Sequence, residues 1–104
     1  MSLNFSLEVL RPVAVFTAGY THNVTKMWIK AGVHHALYDS QGKLAKDVID
    51  DLRKGADLMR ENPNDYVLLN PPNGWGDYYG ALSVLCRILD ACERNPDAVI
   101  EISR

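Results

Sequence analysis

Residues 3–9 alternate, with Leu3, Phe5, Leu7 and Val9 apolar and Asn4, Ser6 and Glu8 polar. A period of two is that of a strand with one buried face. Arg11-Pro12 interrupts the ladder, because proline brings no amide donor to it. Val13 to Thr17 is β-branched and aromatic, which predicts a second, more buried strand. The stretch 3–17 is either two strands or one strand with an edge kink, and two is the reading preferred here. Ala18 to Asn23 reads as a loop.

The period then lengthens to that of a helix. Val24 and Trp28, and Met27 and Ala31, are i,i+4 pairs of a short helix over 24–31. Asn23 is positioned to cap it and Gly32 to end it. Val33 to Tyr38 predicts one more helical turn, with Val33, Ala36 and Leu37 inward, and Asp39-Ser40-Gln41-Gly42 a turn. From Lys46 to Glu61, Val48, Ile49, Leu52, Ala56 and Met59 fall on one helical face and the charges on the other. Gly55 lies beside that apolar face and costs ~1 kcal/mol against alanine, which makes sense where another backbone passes close. Asn62-Pro63 ends the helix. Pro63 to Gly76 is rich in Asn, Pro and Gly, but Tyr66, Val67, Leu68 and Leu69 should dock it on the core.

Asp77 to Arg94 carries the strongest helical pattern, with Tyr78, Ala81, Leu82, Leu85, Ile88, Leu89 and Cys92 in one wide stripe. Asn95-Pro96 closes it, and Ala98 to Ile102 alternates as a last strand. The fold class expected is α+β, one domain over 1–104. A small sheet of about three strands, formed by the N- and C-terminal segments, packs on three to four helices. The last strand is expected to pair with residues 13–17.

Composition narrows the function more by exclusion than by assignment. At 104 residues, 47% hydrophobic and 23% charged, the chain has the make-up of a globular domain rather than a disordered tail. The net charge of −2 argues against nucleic acid as a partner. No apolar run reaches the ~18 residues of a membrane span, and no secretory leader is visible, so a cytoplasmic setting is expected. Met1-Ser2-Leu3 is either an expression scar or native sequence and is given no functional weight. The two cysteines, Cys86 and Cys92, would lie ~9 Å apart along one helix, too far to bridge. Two free thiols suit a reducing compartment. Asn4-Phe5-Ser6 and Asn23-Val24-Thr25 match a glycosylation pattern by chance under that reading.

Two segments hold candidate chemistry. Tyr20-Thr21-His22-Asn23 stands between a strand and a helix, where His22 is placed to act as a base or a donor. Thr21 or Asn23 as a cap, with His22 a plain loop residue, accounts for the same pattern. Asn70-Pro71-Pro72-Asn73-Gly74-Trp75-Gly76-Asp77-Tyr78 combines a stiff approach, a turn and an aromatic between glycines. Trp75 and Tyr78 would form an aromatic wall, oriented by Asn70 and Asn73, with Asp77 capping the next helix. Alternatively Trp75 folds onto the core as a lid. Gly74-x-Gly76-x-x-x-Gly80 is one residue too long for a dinucleotide loop, and Asp77 would repel a pyrophosphate. His22, His34, His35, Cys86 and Cys92 lack metal-ligand spacing, so no metal and no cofactor is expected.

These two segments, with Ala31-Gly32-Val33, Ala36-Leu37-Tyr38 and the stretch Asp90-Ala91-Cys92 to Ala98, resemble a family of small uncharacterised proteins of bacteriophages, prophages and bacterial accessory genes. The resemblance runs from about residue 13 to the end and implies one shared patch of His22, Asn23, Asn73, Gly74, Trp75 and Gly76. It implies no reaction.

The reading that follows is a phage-type accessory binding module. Thr21, His22, Asn23, Asn70, Asn73, Trp75, Asp77 and Tyr78 would form a patch beside two helix N-termini, for an unidentified protein or a small polar ligand. The alternative is a small enzyme with His22 as general base and Asp77 as its orienter. A third reading makes the motifs purely structural. Exposed sheet edges leave a homodimer open.

Overall fold

The computed structural model describes residues 2–10 and 13–104, with the side chains of Leu10 and Val13 left aside. Strands β1 (Ser2–Leu10), β2 (Val13–Thr21) and β3 (Val99–Ser103) form an antiparallel sheet in the order β2-β1-β3. The α-helices described are α1 (Thr25–Lys30), α2 (His34–Tyr38), α3 (Ile49–Glu61), α4 (Pro63–Val67) and α5 (Tyr78–Arg94). The α+β class and the three-stranded sheet of both chain ends are as the sequence predicts. The helices exceed the three or four expected, because the Pro63 segment starts a helix of its own with proline in its first turn.

The alternation in β1 sets the layer. Leu3, Phe5 and Leu7 are fully buried, while Asn4 is exposed. Leu3 is therefore a core residue rather than inert leader, paired with Tyr20 across the ladder. The helices cover the buried face and supply Trp28, Met27, Leu37, Leu52, Met59, Leu85 and Ile88 to one continuous core.

Three expectations about the sheet need correction. β3 pairs with β1, from Asn4↔Ser103 to Glu8↔Val99, and not with residues 13–17. β2 is an edge strand with Ala14, Val15, Thr17 and Gly19 exposed, so its β-branched composition marks extended backbone but not burial. Ala18 to Thr21 continues β2 rather than forming a loop, because pairing with β1 runs on to Ser2↔Thr21. Register irregularities fall between Leu7 and Leu10. Arg11-Pro12, the expected interruption, lies outside the described residues.

The helices follow the pattern closely. α3 starts at Ile49, after a 3-10 turn over Ala45–Asp47, and buries Leu52, Ala56 and Met59. A Cβ on Gly55 would stand 3.0 Å from the Ala31 carbonyl oxygen and 2.2 Å from Val33 Cγ1, which is the close passage that its place in the sequence implied. In the expected apolar centre of 66–69 only Tyr66 is buried, whereas Leu68 is 84% exposed.

Candidate functional site

The site forms where β2 gives way to α1. Thr21, in extended conformation at the strand end, accepts the Asn23 backbone N–H at 3.2 Å and the Asn23 side-chain amide at 3.0 Å through its hydroxyl. This caps a 3-10 turn over His22–Val24, so Thr21, not Asn23, is the capping residue. Asn23 is left exposed beside it. Val24 is fully buried and anchors the turn to the core.

The loop between α4 and α5 closes over this turn through side-chain to backbone bonds. Asn73 Oδ1 accepts the Trp75 N–H at 2.9 Å, Asn70 Oδ1 accepts the Tyr78 N–H at 2.8 Å, and Asp77 Oδ1 accepts the Gly80 N–H at 2.8 Å. The Tyr20 hydroxyl accepts the Asp77 N–H at 3.2 Å, which ties the loop to β2. Gly76 has φ +93°, and a Cβ there would lie 2.6 Å from Thr21 Cγ2. A side chain at that position would thus be both strained and obstructed. The result is a short, hydrogen-bonded loop that presents Trp75 with 68% of its surface exposed.

The two remote stretches do meet. An open cleft of about 440 Å³ is lined by Ser2, Thr21, Asn23, Asn73 and Trp75. Asn23 and Asn73 also line a neighbouring cleft of about 350 Å³, together with Lys26, Asn70 and Leu68. Every polar side chain of the first cleft is neutral: two hydroxyls and two carboxamides beside an indole. Ser2, Lys26 and Leu68 are not among the residues expected for the patch. Nothing in a linear pattern links the start of β1 to a loop some seventy residues away, and only the Ser2↔Thr21 pairing brings it there.

Other expected members lie elsewhere. Tyr78 is buried, its hydroxyl donating to the Met59 carbonyl at 2.6 Å, so it is part of the core and forms no wall with Trp75. Its neighbour Tyr79 is 74% exposed instead. The His22 ring turns away from the cleft: Nδ1 lies 2.9 Å from the Tyr38 hydroxyl, and Tyr38 in turn stacks on His34 with ring centroids 4.6 Å apart. Thr25 Oγ1 donates to the His22 carbonyl. Asp77 caps α5, so among the described residues His22 and Asp77 form no dyad. The first amides of α5 are bonded by Asn70 and Asp77, which removes the open helix N-terminus expected to draw an anion.

Burial is the leading cause of the shifts in the nearby titrating groups. It raises the phenols of Tyr38 and Tyr78 above their ordinary value and pushes the Cys92 thiol up to about 12. None of these groups lines the Trp75 cleft. Both cysteines are free thiols, and Cys86 Sγ lies 3.1 Å from Arg60 Nη2. Among the described residues no helix is long and apolar enough to cross a membrane, and no group of three or more His, Cys, Asp or Glu side chains is placed to hold a metal ion. No family model, curated protein or solved structure matches the chain.

Proposed function

We propose that this chain is a binding module, and that its site is the cleft between Trp75 and the Thr21–Asn23 turn. The observation that carries this reading is the exposure of Trp75 on a loop already held by its own hydrogen bonds. An indole kept in water on a pre-organised backbone is area that a ligand can cover without ordering the loop. A tryptophan serving only the core would be buried as Trp28 is.

The lining indicates the ligand class. Ser2, Thr21, Asn23 and Asn73 offer donors and acceptors without charge. A neutral ligand with one flat apolar face and a rim of hydroxyl or amide groups matches this set, as a sugar ring or a neutral peptide segment does. The His22 enzyme reading receives no such support, since that ring is engaged by Tyr38 outside the cleft. The resemblance to phage and prophage accessory proteins, with the two free thiols, supports an accessory role in the cytoplasm.

The test is a titration with neutral oligosaccharides and with end-capped neutral peptides, followed by isothermal titration calorimetry, whose heat signal does not depend on the Trp75 fluorophore. Saturable change with one probe class, lost in Trp75→Ala at unchanged folding, supports the reading. A saturable response to either class that survives in Trp75→Ala contradicts it.

A further inference from the structure

We propose that the ligand of the Trp75 cleft is an acidic saccharide, with a neutral ring on the indole and the carboxylate of a linked uronic acid held by Lys26 in the neighbouring cleft. This rests on the Trp75 cleft being the ligand site and names the class of molecule that fills it. The two clefts, of about 440 and 350 Å³, share Asn23 and Asn73 as a common wall. Lys26 is the one charged side chain lining either of them among the described residues. It is exposed, and its ammonium has no partner among the described residues. A ligand seated on Trp75 and extending past the shared wall therefore meets a single cation and no acid.

The bonds that hold the loop also fix the sense of its carboxamides. Asn70 Oδ1 accepts the Tyr78 N–H and Asn73 Oδ1 accepts the Trp75 N–H, so each side chain has its Nδ2 donors left over. With the Lys26 ammonium, the spare side-chain groups of the second cleft beyond the shared Asn23 are all donors. A hydroxyl rim, which donates as well as accepts, suits that set poorly. A carboxylate only accepts, and its bonds to such donors are charge-assisted. The first cleft has the opposite character. Ser2 and Thr21 carry hydroxyls, and Asn23 spends its Nδ2 on Thr21 Oγ1 at 3.0 Å, leaving Oδ1 as an acceptor. Such a mixed set suits the hydroxyls of a sugar ring, whose apolar face covers the indole. Because the clefts share a wall, ring and carboxylate must sit side by side. A uronic acid linked to a neutral ring meets that condition. Successive side chains of an extended peptide point to opposite sides and do not.

Calorimetric titration of the full chain tests the proposal with a panel of disaccharides in which a neutral hexose is linked to a uronic acid. Each is measured beside its methyl ester, which keeps the rings and removes the charge, and beside an end-capped peptide with one aspartate among neutral residues. At least one acid should bind ~tenfold or more tightly than its ester at low salt, and the margin should shrink between about 20 mM and about 300 mM sodium chloride. Lys26→Met, at an exposed position, should bring that ratio of acid to ester close to one with unchanged far-UV circular dichroism. Trp75→Ala should weaken acid and ester alike. Acid and ester bound equally well through Trp75 overturn the carboxylate site while leaving the Trp75 cleft in place. A preference for the acid that survives in Lys26→Met overturns it as well. Silence from every disaccharide, with the capped aspartate peptide bound in a Lys26-dependent way, assigns the carboxylate to a peptide and overturns the saccharide. Silence from the whole panel, with neutral capped peptides still bound through Trp75, overturns this inference alone. Binding of the acids that is indifferent to Trp75→Ala overturns both it and the reading of the cleft.

Discussion

The Tyr20 hydroxyl sits between β2 and the start of α5, where it accepts the Asp77 backbone N–H at 3.2 Å. Gly80, one turn into α5, passes the same hydroxyl so closely that a Cβ there would stand 1.9 Å from it. Strand, loop and helix are locked at this point, and Trp75 is carried on the locked segment. Tyr20→Phe removes the acceptor and leaves the ring in place. The expected cost is about 1 kcal/mol in urea unfolding, with faster local motion of Trp75 in time-resolved fluorescence anisotropy.

Gly80→Ala and Gly55→Ala both improve helix propensity and both should destabilise. At Gly55 the obstruction includes the Ala31 backbone carbonyl, which cannot rotate away. At Gly80 it is the Tyr20 ring, held by its bond to Asp77. Overpacking of this kind costs roughly 1–3 kcal/mol, against a propensity gain of ~1 kcal/mol. Thermal melts of the two variants should both fall below the parent. Gly80→Ala alone should also shift Trp75 emission.

The need for a small residue at Gly55 was legible in the sequence, as a glycine beside an apolar helix face. The identity of its neighbour was not, because Ala31 and Val33 come from another element. The same division holds across the molecule. Periods of two and 3.6 located β1, α3, α5 and β3, since those elements each bury one face. Periodicity does not say which strand lies at an edge: β2 is shallower than its composition suggests, and β3 pairs with β1 rather than with β2. At the site, the Thr21–Asn23 and Asn70–Asp77 segments were expected together because both precede helices and because the resemblance implied one patch; local pattern alone does not bring them together. The direction of His22 and the burial of Tyr78 depend on Tyr38 and Met59, which no local pattern connects to them.

The thiols differ in reactivity. Cys92 is fully buried with its thiol pushed up to about 12, and Cys86 is half-buried. At pH 8 a thiol reagent should label Cys86 in the native protein and Cys92 only after unfolding. The same shift makes stability depend on pH. Unfolded Cys92 ionises near the ordinary thiol value of 9.0, before the folded thiol does, so the unfolded state binds fewer protons above that pH. The stability it contributes is whole below about pH 9 and is lost as pH rises toward about 12. The raised phenols of Tyr38, Tyr66 and Tyr78 act in the same direction. Urea midpoints measured from pH 8 to 11 should therefore fall monotonically.

His22→Ala separates binding from support. Loss of its bond to Tyr38 should cost about 1 kcal/mol of stability and leave ligand affinity within about twofold, because the ring lies outside the cleft lining. Trp75→Ala should do the reverse, changing stability by less than about 0.5 kcal/mol and weakening binding at least ~tenfold. Chemical unfolding and titration of the two variants side by side read both quantities.

The most direct measurement is a nitrogen-15 correlation spectrum of the chain through titrations with neutral oligosaccharides and capped peptides, following the indole N–H of Trp75. That signal is distinct in environment from the buried indole of Trp28. The result predicted is a saturable shift of the Trp75 indole together with the side-chain amides of Asn23 and Asn73, while the Trp28 indole stays in place. A ligand that saturates the protein while those three signals stand still would place the site elsewhere and contradict the assignment.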